Sequence, residues 1–137
     1  MKALTKTELI ELCPPDGATL AGALSRFETA APVLCREHGY CRELIAEGWS
    51  KPVQINCAGR PVFLICYRQT FDGGFWVDIA QTLNGGAPTA VMFETVEKLA
   101  RQSGARYMRF ATMRRGLVKL ACQFGFEPEA VLCVKQL

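Results

Sequence analysis

Several absences narrow the class of this 137-residue chain. Its apolar runs, Val62 to Cys66 among them, are far short of the roughly 20 residues that span a bilayer, so no membrane partner is expected. Met1-Lys2-Ala3-Leu4-Thr5-Lys6 lacks the apolar stretch and small-residue cleavage site of a secretory signal. A cytoplasmic protein is therefore expected, with its seven cysteines as thiols. No repeat or linker-like stretch interrupts the chain, which predicts one domain over residues 1–137. Histidine occurs once, at His38. The triplet Cys35-x-x-His38-x-x-Cys41 has soft ligands at helix-like intervals, but a structural zinc site needs four and no second Cys/His pair accompanies it, so no metal is expected. Excess charge is also scarce: 16 Lys+Arg against 13 Asp+Glu leaves +3, too little to announce a nucleic-acid binder. Tyr107 and Phe110 alternate with arginines in strand fashion and do not form the interleaved stacking surface such a binder needs.

The chain does have apolar content, half of its residues, and enough length to bury a core without staples. Its small positive excess is also concentrated. Residues 1–72 carry eight bases and eight acids, residues 73–137 eight bases and five acids, so the difference of three lies in the second half. Seven of those bases (Lys98, Arg101, Arg106, Arg109, Arg114, Arg115, Lys119) fall within 22 residues, as an anion site or as the solvated faces of successive elements.

Periodicity supplies the order of elements. Glu8 to Cys13 alternates weakly as a strand, ended by Pro14-Pro15-Asp16-Gly17. From Thr19, the spacing of Leu20, Leu24, Phe27 and then Val33, Leu34 predicts one helix broken near Pro32, or two short ones. A further helical stretch around Leu44, Ile45 and Trp49 ends at Gly48 or at Lys51-Pro52. Residues 52–70 read as an antiparallel hairpin turning at Ala58-Gly59-Arg60, followed by a strand from Phe75 to Leu83. A helix from Pro88 to Gln102, a strand from Arg106 to Thr112, a helix from Arg114 to Phe124 and a strand from Ala130 to Lys135 complete the series. The step from the Phe75–Leu83 strand through a helix to the Arg106–Thr112 strand is a parallel crossover, which sets a helix N-terminus at the carboxyl end of the sheet.

That crossover begins with Gln81-Thr82-Leu83-Asn84-Gly85-Gly86-Ala87-Pro88. Two glycines allow a backbone to approach an anion, Asn84 tolerates a left-handed conformation, and no acid occurs between Gly85 and Glu94 to compensate the helix dipole. Paired glycines before a helix also serve as plain tight turns. Asp78, between Val77 and Ile79 on the preceding strand, is the candidate general base, with a solvent-facing strand residue as the alternative. The remaining thiols read as small buried apolar residues.

From Gln81 to Leu137 the sequence resembles the carboxyl half of the GCN5-related N-acetyltransferases (GNAT). Gln81 and Gly86 match the ends of that family's Gln/Arg-x-x-Gly-x-Gly/Ala loop, with Asn84 in place of the first glycine. The run Arg114-Arg115-Gly116-Leu117-Val118-Lys119-Leu120-Ala121-Cys122-Gln123-Phe124-Gly125-Phe126-Glu127 is similar to the family's last helix and its exit. Compact versions of this ending are similar to acetyltransferase-like proteins of bacteria and their phages.

The resemblance implies a single α/β domain with the acetyltransferase-like fold, a mixed twisted sheet flanked by helices. It implies acetyl-CoA or another acyl-CoA as substrate, and direct acyl transfer to an amine acceptor, small molecule or protein; a homodimer is compatible with it. Ile79 and Ala80 would present backbone groups to the pantetheine amides. Gln81, Asn84, Gly85, Gly86 and Ala87 would hold the diphosphate, Thr89 would add a hydroxyl, and Arg114 or Arg115 would meet an outer phosphate. Ala121 occupies the position where the family often has a proton-donating tyrosine, which leaves the neighbouring Cys122 as the candidate acid. An alternative is a catalytically inactive interaction protein that keeps the fold.

Overall fold

Strand-forming residues flanked by glycine turns put three antiparallel strands in the middle of the chain, as the alternation predicts. A computed structural model describes residues 10–30, 41–112, 114–129, 133, 135 and 137. The elements are β1 (Ile10–Cys13), α1 (Gly17–Ala30), α2 (Cys41–Ala46), β2 (Lys51–Cys57), β3 (Arg60–Gln69), β4 (Gly74–Thr82), α3 (Thr89–Gln102), β5 (Tyr107–Phe110) and α4 (Arg115–Cys122). Residues 31–40, with Val33, Leu34, Cys35 and His38, lie outside the described residues. So does most of the expected last strand, residues 130–135.

The strands form one sheet in the order β1-β2-β3-β4-β5. Its first three pairings are antiparallel, and β4 pairs with β5 in parallel, which makes it the mixed α/β sheet expected. Asp16 starts α1: its Oδ1 accepts the Thr19 N–H at 2.7 Å, a bond that holds the carboxyl below its ordinary range. Leu20, Ala23, Leu24 and Phe27 recur at helical spacing and pack on Leu64, Cys66, Ile79 and Leu83. On the opposite face of the sheet, Val96 and Ala100 of α3 pack with Ile55, Val62, Ile65 and Phe75. Strand β3 is thus covered on both sides, which is why Val62 to Cys66 is an unbroken apolar run. Each fully buried side chain of this size contributes about 1.5–3 kcal/mol.

The chain after α4 is pinned by aromatic rings. Phe124 stacks on Phe93 of α3 at 4.6 Å, and Phe126 meets Phe93 and Phe110 of β5 edge-on at 5.8 and 5.2 Å. The Phe-Gly-Phe exit noted in the sequence therefore docks α4 onto both elements of the crossover. Among the described residues no helix is long and apolar enough to cross a membrane.

Candidate functional site

The site begins where β4 and β5 part. Their register couples Gly74 to Val77 with Tyr107 to Phe110 and goes no further. On its other edge β4 continues against β3, pairing Ile79 to Thr82 with Phe63 to Cys66. Cys66 opposes Ile79 while Tyr67 opposes Val77, so Asp78 is the extra residue of a β-bulge at the point of separation. Beyond it, Ile79, Ala80 and Gln81 have no β5 partner among the described residues. Backbone N–H and C=O groups along that edge are left for a ligand.

Asp78 is fastened at the bulge. Its Oδ1 accepts from Arg68 Nε at 2.9 Å and its Oδ2 from the buried Ser50 hydroxyl at 2.9 Å. Its side chain is only 6% exposed, so this ion pair is largely desolvated. Arg68 in turn lies over the Trp76 ring, 5.5 Å from its centroid, and Arg109 lies over the same ring at 5.7 Å.

At the carboxyl end of β4, three consecutive residues have positive φ: Asn84 at 48°, Gly85 at 80° and Gly86 at 74°. Asparagine is one of the few residues with a side chain that accept this conformation, and the Asn84 amide also donates to the Pro61 carbonyl at 3.0 Å. A Cβ on Gly86 would fall 2.7 Å from Thr82 Cγ2, whereas one on Gly85 would meet nothing within 4 Å. Position 85 is therefore open to a ligand, and position 86 is closed by the protein itself. The Gly86 N–H donates to the Leu83 carbonyl at 2.8 Å, closing the turn. Among the described residues no acceptor meets the N–H groups of Gly85 or Ala87.

Helix α3 follows, starting at Thr89 after an extended Pro88, with no acid in its first turn. Because β4 and β5 are parallel, α4 opens at the same end of the sheet; it has no acid in its first turn, and Arg114 and Arg115 there are exposed. The fold thus collects Ile79, Ala80, Gln81, the loop from Asn84 to Ala87, Thr89, Arg114 and Arg115 at one end of two strands. Two acid-free helix starts and an open loop suit an anion such as a diphosphate.

Of the two readings of the seven clustered bases, that of solvated faces on successive elements describes Arg101, Arg106 and Arg109. Arg101 pairs with Glu97 at 3.8 Å on the far turn of α3, and Arg109 pairs with Glu129 at 2.8 Å. The Arg106 N–H bonds the Gly73 carbonyl ahead of β4, at the end of the strand opposite the loop. Crossover topology runs α3 back along the sheet, so bases adjacent in sequence separate to opposite ends. The cysteines differ from the buried set expected: Cys66 is buried, Cys13 and Cys57 are half-buried, and Cys122 and Cys133 are exposed. Only Cys66 lies on the doubly covered β3. Ala121 is buried, and Cys122, the last residue of α4, shares no hydrogen bond with another site residue among those described.

One residue at the site had no signal in the sequence. Arg60 reads there as part of a hairpin turn, yet its guanidinium donates to the carbonyls of Asn84, at 2.6 Å, and Gly86, at 3.3 Å. The contact spans 24 residues, and nothing local in Ala58-Gly59-Arg60 points to it.

No protein-family model and no curated protein matches the sequence. Solved structures do match. A putative acetyl transferase from Pyrococcus furiosus aligns with a TM-score of 0.64 at 11% identity, over 93% of this chain and 99% of that one. A ribosomal-protein-alanine N-acetyltransferase from Brucella melitensis biovar Abortus 2308 aligns with a TM-score of 0.61 at 16% identity, over 93% and 97%. An aminoglycoside N-acetyltransferase in complex with CoA aligns with a TM-score of 0.58 at 13% identity, over 93% and 94%. At such identities the likeness is one of fold.

Proposed function

On the GCN5-related N-acetyltransferase fold that this chain has, we propose that it is an acyl-CoA-dependent N-acyltransferase, with acetyl-CoA as the donor and an amine as the acceptor. The observation that carries this reading is the splay of β4 from β5 beyond the Asp78 bulge, closed at its end by the left-handed loop. Those backbone groups of Ile79 and Ala80 that face the open edge hold the amide-bearing arm of the donor. The N–H groups of Gly85 and Ala87, with the start of α3, hold its diphosphate, and Arg114 or Arg115 meets an outer phosphate. Gln81 and Asn84 frame the loop, and the Thr89 hydroxyl is available at the helix start.

In the transfer, the neutral amine adds to the thioester carbonyl, a C–N bond forms, the C–S bond breaks, and the thiolate takes up a proton. The amine proton passes to water or to Asp78; the Arg68 and Ser50 bonds already made by that carboxylate favour water. The thiolate proton comes from solvent or from the exposed Cys122 thiol. Cytoplasmic residence, a bacterial or phage origin and the acceptor's identity go with this reading as expectations from the sequence.

The second reading, a fold kept for binding without catalysis, is favoured by the buried Ala121 at the usual tyrosine position. Thermal unfolding with acetyl-CoA tests both. A ligand bound only by the folded state raises stability by RT ln(1 + [L]/Kd), so millimolar acetyl-CoA should raise Tm. The Gly86→Glu variant should abolish the shift, since its Cβ clashes with Thr82 and its negative charge repels phosphate. No shift for the native protein refutes a CoA site. A shift without turnover over a panel of amines selects the binding protein.

A further inference from the structure

Arg60 contacts the loop only through its carbonyl side, and this has a geometric consequence. A trans peptide unit points its C=O and its N–H in opposite directions. The Asn84 carbonyl belongs to the unit that carries the Gly85 N–H, and the Gly86 carbonyl to the unit that carries the Ala87 N–H. One guanidinium holds both carbonyls toward the β2–β3 turn, at 2.6 and 3.3 Å. Both N–H groups are thereby turned away from that hairpin, and these are the two loop donors without an acceptor among the described residues. The intervening Gly86 N–H, held by no such clamp, folds back onto Leu83.

We infer that Arg60 is a positioning residue of the donor site, a clamp that aims the Gly85 and Ala87 N–H groups at the diphosphate of the acyl-CoA. The inference rests on the proposed donor site. Three successive left-handed residues, two of them glycine, have ample alternative conformations, and a loop free to explore them would lose entropy on binding. A planar guanidinium with a fixed fork of donors removes those alternatives before the ligand arrives. It also polarises the two peptide units, making their N–H groups more electropositive. Asn84, whose side-chain amide donates a hydrogen bond to the Pro61 carbonyl, ties the same loop to the same hairpin.

Calorimetric titration of the native protein, Arg60→Ala and Arg60→Lys with CoA and with pantetheine, which lacks the diphosphate, tests the clamp. CoA should bind Arg60→Ala roughly tenfold more weakly, the scale of one lost charge-assisted hydrogen bond. Pantetheine affinity should be unchanged. Lysine keeps the charge but lacks the fork, so Arg60→Lys should recover only part of the loss and serves as the second variant if the alanine variant does not fold. Equal CoA affinity for native and variant proteins overturns the clamp and leaves the donor site standing. An equal loss for CoA and pantetheine also overturns it, since that is the mark of a general structural role. No CoA binding by the native protein overturns the clamp and the donor site together.

Discussion

Asp72 shows how single side chains set the behaviour of this protein with pH. Its carboxylate accepts from the Thr70 hydroxyl and from the Tyr107 hydroxyl, and the Thr70 hydroxyl in turn accepts the Gly74 N–H at 2.9 Å. These bonds, the Thr70 bond first, hold the carboxyl below its usual value of 3.8, with help from the Arg109 charge. A carboxyl whose folded value is depressed stabilises the fold above the unfolded value and loses that contribution as pH falls through the folded one. The native protein should therefore melt higher than Asp72→Asn at pH 7, and the two should converge as pH falls below 3.8. A difference in Tm that stays constant from neutral to strongly acidic pH would show that the carboxylate is not the source. Asp78 has a structural part instead: it is enclosed, its partners come from β3 and from the residue just before β2, and they lock the bulge that opens the site.

At the scale of elements, the crossover decides where chemistry can occur. Strand β4 pairs with β3 on both sides of the bulge at Asp78 but with β5 only up to Val77, and the bulge is the physical reason, since an extra residue bends and twists the bulged strand. Helix α4 is short, eight residues, and would be marginal alone, so its position depends on the rings after it. Replacing Phe126 by alanine should cost roughly 2–3 kcal/mol, because the ring contributes burial and two edge contacts. Chemical denaturation with acetyl-CoA titration checks this: the variant should be less stable and should also bind the donor more weakly, as the Arg114–Arg115 end of α4 loosens. Lost stability with unaltered donor binding would detach α4 from the site. The element order was legible in the sequence from hydrophobic period and glycine stops. Elements β2, β3, β4, α3 and α4 appear within a few residues of their expected limits, because each carries both a pattern and a terminator.

For the molecule as a whole, the central fact is a sheet covered on both faces. Leu64 and Cys66 point to α1, Ile65 to α3, and each side alone is too small to fold separately. Truncating Leu64 to alanine should cost about 3 kcal/mol. For a chain of this size that is a fall in Tm of roughly 10 °C, and both faces should still melt in one transition. Two separated transitions in calorimetry would show that the faces are independent. The sequence by itself determined the order of elements, the crossover and the loop, because periodicity, turn residues and glycine are local properties of the chain. It did not determine which bases meet at the loop. Arg60 was unmarked and the place of Arg101, Arg106 and Arg109 was left open, since the first reaches its partners across 24 and 26 residues and the others are carried away from the loop by α3 and β5. The bulge belongs to the same class: register between strands is settled only when both faces pack, and no residue of β4 announces it alone. Local chemistry wrote the elements, and tertiary packing chose which backbone groups were left open to a ligand.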